Sequence, residues 1–142
     1  MKIRLGKKGD SSAIKAIDSS IGSDPNRAEY IDLSLRQNTV RIAHENGEII
    51  GYSVVNHSFF RRPTLEMLMV VEARRRQGVG RALLREAQAR MCTNGELWTS
   101  TNASNKSMRS LLKSEGFEIS GRIENLDPGD SELVYFKEFI ET

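Results

Sequence analysis

Apolar positions along the chain follow two spacings. Residues 40–44 alternate apolar and polar, as a half-buried strand does. Asn46-Gly47 then offers the positive φ angles of a tight hairpin turn, and residues 49–55 return as a second strand of that hairpin. Residues 65–71, LEMLMVV, form a dense apolar run that predicts a strand buried on both faces. Residues 2–5, 96–101, 118–123 and 133–139 also read as strands, with Asp127-Pro128-Gly129-Asp130 as the turn between the last two. Helical spacing appears at Ala13, Ile14, Ile17 and Ile21, behind Asp10 as an N-cap. Asp24-Pro25 is a second helix start. Residues 30–35, where Ile31, Leu33 and Leu35 alternate, are read as helix. Val79, Ala82, Leu83, Ala87 and Met91 mark one face of a further helix. Residues 105–114 form the last one, with Met108, Leu111 and Leu112 inward and Gly116 as its C-cap. The order predicts a mixed α/β fold with a partly antiparallel sheet flanked by helices.

The chain has 142 residues and no repeat, linker or low-complexity tract, so a single domain spanning 1–142 is expected. Hydrophobic residues at 38% and charged residues at 28% fit a soluble globular protein. The longest purely apolar run, residues 67–71, is far short of the ~20 a membrane helix needs. The N-terminal MKIRLGKKGDSSAI has no apolar core, so it is not read as a signal peptide. One cysteine, Cys92, excludes an internal disulfide and suits a cytoplasmic setting. The net charge of +2 is small and the basic residues are spread, so no nucleic-acid partner is expected. His44 and His57 have no cysteine or acid at ligand spacing, and no metal is expected. A Gly-x-Ser-x-Gly elbow is absent. Trp98 reads as core.

Candidate chemistry concentrates after the LEMLMVV strand. Arg74, Arg75, Arg76 and Arg81 surround Gly78-Val79-Gly80, which opens an amphipathic helix. Glycines let main-chain N–H groups approach a ligand, and a first helical turn has unpaired donors and partial positive charge. The combination suits phosphate. Read alone, it is also an ordinary strand-to-helix turn with solvated arginines. A Walker A loop is absent, and Leu83 stands where a dinucleotide fingerprint needs Gly or Ala.

Arg75-Arg76-Gln77-Gly78-Val79-Gly80 resembles the Arg/Gln-x-x-Gly-x-Gly/Ala signature of the GNAT superfamily of N-acetyltransferases. Asn105-Lys106-Ser107-Met108-Arg109-Ser110-Leu111-Leu112, then Gly116-Phe117, resembles that family's second block. The resemblance implies a GNAT-type fold and acetyl-CoA as acyl donor. Pantetheine would bond to the main chain near Met69, Val70 and Val71, as an added strand does. Amides from Gln77 to Arg81 would hold the pyrophosphate, with Arg75 and Arg76 adding charge. Asn105 and Ser107 would touch the pantetheine or nucleotide end. The acceptor would be a primary amine of a small molecule or a protein, and many similar domains are homodimers. A free alkylamine of pKa ~10 must lose a proton, and Glu66 is the candidate base. A main-chain N–H at Met69 or Val70 would serve the oxyanion. Asn102 and Tyr135 are candidate acceptor-site residues. Asn102 also reads as a turn residue, Tyr135 as a packing residue, and the acidic loop around Asp127 as one wall of the acceptor pocket or an ordinary hairpin tip. The family's usual thiolate-protonating tyrosine is replaced by Leu112. That departure keeps open a rival, an acyl-CoA-binding module without turnover. A nucleic-acid-binding domain using the arginine run is the more remote rival.

Overall fold

The computed structural model describes residues 1–140. Its strands are β1 (Lys2–Leu5), β2 (Val40–Glu45), β3 (Glu48–Phe59), β4 (Arg62–Val70), β5 (Glu96–Asn102), β6 (Glu118–Asp127) and β7 (Asp130–Glu138). The helices are α1 (Ser11–Ile17), α2 (Arg27–Arg36), α3 (Val79–Met91) and α4 (Lys106–Ser114). The strands form one sheet in the order β1-β2-β3-β4-β5-β7-β6. The β4–β5 pair is parallel, while β1–β2, β2–β3, β5–β7 and β6–β7 are antiparallel. The mixed α/β expectation therefore holds. No described helix is long and apolar enough to cross a membrane.

Contacts divide the chain into two units. The first comprises residues 1–55 and 67–87. There, Ile14 of α1 and Ile31 and Leu35 of α2 pack on Val40, Ile42, Tyr52 and Val54, with Met67 and Met69 half-buried against them. Ala43, Ile50, Val79 and Leu83 form a separate cluster with Leu68 and Val70. The sheet is thus apolar on both faces, and each face is sealed by an amphipathic helix stripe. Segment 30–35 is helical because Ile31 and Leu35, one turn apart, are both buried, while Leu33 faces solvent.

Three local expectations are corrected. Asp10 does not cap α1. Its carboxylate instead accepts from the Lys7 amide at 2.8 Å and from the Arg4 guanidinium at 2.9 Å. Ile21 lies beyond α1, which stops at Ile17 because Asp18 turns extended. The second helix begins at Arg27, with Asn26 rather than the segment at Pro25 at its cap.

The second unit comprises residues 56–66 and 88 onward. Register pairs Thr99 with Tyr135 and Trp98 with Phe136 across β5–β7, so these pairs occupy opposite faces. α4 is tied to the Tyr135 face, since the Lys137 ammonium of β7 donates to the Glu115 carbonyl at 2.6 Å. On the other face Trp98 stacks between Phe59 and Phe136. Strand β6 is the sheet edge and is exposed along all ten residues.

Candidate functional site

The β4–β5 ladder is short. Its register holds Thr64↔Trp98 and Leu65↔Thr99, and the Thr99 hydroxyl donates to the Leu65 carbonyl at 2.7 Å. Among the described residues, β4 then runs on to Val70 with no register partner in β5. Its peptide groups on that side, apart from the Val70 carbonyl that accepts from Arg75, are left for another partner. Residues 67–70 are accordingly half-buried, not buried on both faces as the apolar run predicts. From β3, Gly51 backs this stretch so closely that a Cβ there would lie 2.7 Å from the Met69 carbonyl oxygen. The Val71 amide is anchored on the Ile50 carbonyl at 2.9 Å.

A short 3₁₀ turn, Glu72–Arg74, leads from β4 into the glycine loop. Arg76 and Gly78 take positive φ, 63° and 84°. Alternating conformations of this kind make successive amides converge into an anion-binding concavity. The Ala82 amide bonds to the Gly78 carbonyl at 3.0 Å, so helical bonding begins at Gly78. The preceding amides have no intrahelical acceptor. A Cβ at Gly78 would meet nothing within 4 Å, so the loop is open there. Val79 is buried in the core, so its amide, not its side chain, is offered to a ligand. Gly80 and Arg81 are half-buried.

The arginines divide by role. Arg74 donates to Gln77 at 2.7 Å and to Glu45 at 2.8 Å, and so stiffens the loop. The Gln77 amide group in turn donates to the Ala73 carbonyl at 3.4 Å. Arg75 donates to the Val70 carbonyl at 3.2 Å, pinning the loop to the end of β4. Arg76 is exposed.

Glu66 is exposed on β4, with Oε1 accepting from the Asn56 amide at 2.9 Å and Oε2 from the Ser58 hydroxyl. Both partners are neutral, so the carboxylate is fixed in place without an ion pair. Asn56 and Ser58 were not singled out from the sequence. The available signal was the pair of polar residues two apart after the apolar stretch of β3.

Asn105 is the α4 N-cap, its Oδ1 accepting from the Met108 amide at 3.2 Å and from the Ser107 hydroxyl at 3.2 Å. Leu112 is fully buried. Asn102 donates to Asp127 at 2.8 Å. Asn102 pairs with Glu132 and Thr99 with Tyr135, so Asn102 and buried Tyr135 lie on opposite faces of the β5–β7 ladder and do not share a pocket. No group of three or more potential metal ligands occurs among the described residues.

A family model, the acetyltransferase (GNAT) domain, matches residues 36–119. No curated protein matches significantly. A GNAT-family acetyltransferase from Bacillus cereus is 28% identical, with a TM-score of 0.85 over 99% of this chain and 98% of that one. The ribosomal-protein-S18-alanine N-acetyltransferase from Escherichia coli shares the fold at 20% identity, with a TM-score of 0.85 over 99% and 95%. The Salmonella typhimurium protein yncA, solved with its cofactor acetyl-CoA, shares it at 24% identity, with a TM-score of 0.78 over 100% and 95%. The chain belongs to the GNAT family of acetyltransferases. It is therefore an acyl-transferring enzyme of the class that uses acetyl-CoA.

Proposed function

We propose that this chain, acting as one catalytic domain, moves an acetyl group from acetyl-CoA to a primary amine. The observation that carries the reading is the β4 edge, which among the described residues has no register partner in β5 beyond Leu65 and leads directly into the left-handed loop at Gly78. Peptide groups of Met69, Val70 and Val71, apart from the Val71 amide bound to Ile50 and the Val70 carbonyl bound to Arg75, suit the amides of pantetheine, and the amides of residues 77–81 suit a pyrophosphate. Arg75 and Arg76 add charge beside them, and Asn105 and Ser107 are assigned to the cofactor as well. Bound acetyl-CoA would supply an activated acetyl group as its thioester.

The chain's own residues then have distinct tasks. Glu66, held by Asn56 and Ser58, takes the proton from the acceptor ammonium, directly or through water. The Met69 or Val70 amide donates to the developing oxyanion. With Leu112 buried where the family carries a tyrosine, solvent water serves as the acid. Asp127, Asp130 and Glu132 accept from Asn102, Ser104 and Ser100, all neutral donors, which leaves their charge available to favour a cationic acceptor. Asn102 is proposed as an acceptor-site residue, and Tyr135, buried on the opposite face, as a packing residue. A cytoplasmic setting and a homodimeric form complete the proposal.

Buried Leu112 also favours a second reading, acyl-CoA binding without turnover. Calorimetric titration with acetyl-CoA, using dephospho-CoA and NAD as controls, tests the shared part. Saturable, acetyl-CoA-selective binding is expected in the wild type, with loss of affinity in Gly80→Asp. Glu66→Gln should keep the cofactor affinity and slow amine acetylation by roughly 10²–10⁴-fold, with a changed pH–rate profile. Binding with no acetyl transfer to any amine selects the second reading.

A further inference from the structure

Phe60 is out of place by two physical criteria. Phe60 and Arg61 form the β3–β4 turn with φ of 51° and 60°. Two successive left-handed residues make the tight hairpin turn that Asn and Gly adopt readily and a bulky aromatic adopts under strain. Phe60 is also 80% exposed, more than any other large hydrophobic described. A side chain unfavourable in backbone and in solvation points to something it touches outside its own chain.

Its surroundings form a site. The Phe60 ring meets Phe59 edge-on at 4.8 Å, Phe59 lies 5.4 Å from Trp98, and Trp98 lies 4.7 Å from Phe136. Phe59, Phe60, Trp98, Ile123 and Val134 line a groove of about 470 Å³. Arg62 and Arg122, also in its lining, are engaged by Glu96 at 2.6 Å and Glu124 at 2.8 Å. The groove thus offers an apolar floor and neutralised rim charges, which suits an uncharged apolar side chain. One wall is the edge strand β6, where the register shifts between Ile119 and Gly121 and peptide groups leave the ladder. Such groups pair readily with another main chain.

The groove is within reach of Glu66. Thr64 is in register with Trp98, and Glu66 lies two residues further along β4. Two strand residues span about 7 Å. An extended peptide whose amine lies at Glu66 would therefore bring a side chain two to four residues away over the Trp98–Phe60 groove.

We infer that the acceptor is a polypeptide, and that an apolar side chain two to four residues from its reactive amine is seated among Phe59, Phe60, Trp98, Ile123 and Val134. This rests on Glu66 marking the place of transfer. A groove of this volume holds one or two side chains, and the exposed peptide groups of β6 complement a backbone better than they do a small polyamine.

The test compares decapeptides with a single primary amine and either leucine or glycine at the second to fourth positions beyond it. Wild-type enzyme should show kcat/KM roughly tenfold or more higher for the leucine peptides. Phe60→Asn places a turn-favouring residue at a left-handed position, so it should melt no lower than the wild type while the leucine preference collapses toward unity. Ile123→Ser should weaken the same preference from the opposite wall. Equal rates on leucine and glycine peptides would overturn the inference, as would a preference that survives Phe60→Asn. Free small amines outperforming every peptide would also overturn it. A shift from dimer to monomer in sedimentation of Phe60→Asn, with leucine preference unchanged, would assign the groove to a second copy of this chain and likewise sink the proposal. Titration with acetyl-CoA separates these results from failure of the transferase reading, because a wrong groove leaves cofactor binding intact.

Discussion

Asp18 is the residue that most governs its surroundings. Its side chain is fully buried beside Arg27, whose guanidinium donates at 2.9 Å, and it also accepts from the Tyr52 hydroxyl and the Ser20 amide. Burial pushes its carboxyl upward, but the bonds from Tyr52, Ser20 and Arg27 outweigh that and hold it below the ordinary carboxylate range. Burial, followed by the bond to Asp18, pushes the Tyr52 hydroxyl well above the usual tyrosine range. Asp18 therefore contributes stability above its unfolded pKa of ~3.9, and that contribution is lost as pH falls through the folded value. Tyr52 contributes below its unfolded pKa of ~10, and its share is lost as pH rises through the folded value. Asp18→Asn should cost about 3 kcal/mol in urea unfolding at pH 7 and flatten the acid limb of the stability profile, because Arg27 loses its buried charge partner and keeps only the exposed Asp24 at 3.6 Å. None of this was legible in the sequence, where helical spacing runs on to Ile21 and carries Asp18 inside the helix. Its partners lie 9 and 34 residues away and meet only in the fold. Gly78, by contrast, could be marked from its neighbours alone, because its role depends on local backbone.

Elements were more legible than the gaps between them. Periodicity located the core of each strand and helix that bears on the site, since alternation and the 3.6-residue stripe are local consequences of burial, but β3 runs on to Phe59 past the expected end at residue 55. Periodicity could not reveal that β5 leaves β4 after two register pairs, because an apolar strand looks the same whether its lateral neighbour is a strand or a ligand. Gly51 shows the same limit. It was passed over in the sequence, yet it lets β3 approach the Met69 carbonyl. Gly51→Ala should force the two strands apart. A loss of about 1–3 kcal/mol is expected on urea unfolding, together with weaker acetyl-CoA binding by calorimetry. Asn105 and Ser107 were visible as a motif, but their mutual bond and the cap on Met108 emerged only with the helix in place.

On the scale of the molecule, element order and the two sequence blocks were sufficient to indicate the GNAT family, because the order of strands and helices is written along the chain. The direction of each side chain around Glu66 and Trp98 was not. If acetyl-CoA binds the folded chain alone, a hundredfold excess over Kd adds about 2.7 kcal/mol. For a chain of this length the melting temperature should rise by roughly 5–10 °C, and the rise should vanish in Gly80→Asp. Thermal scanning with and without the cofactor measures both. As the proposed seat of the donor, the edge of β4 beyond Leu65 has an evolutionary consequence as well. A recognition surface built from peptide groups is indifferent to most substitutions of the side chains that flank it. Lineages descended from such an ancestor can rewrite those side chains, and with them the choice of acceptor, while inheriting the means of holding the donor unchanged.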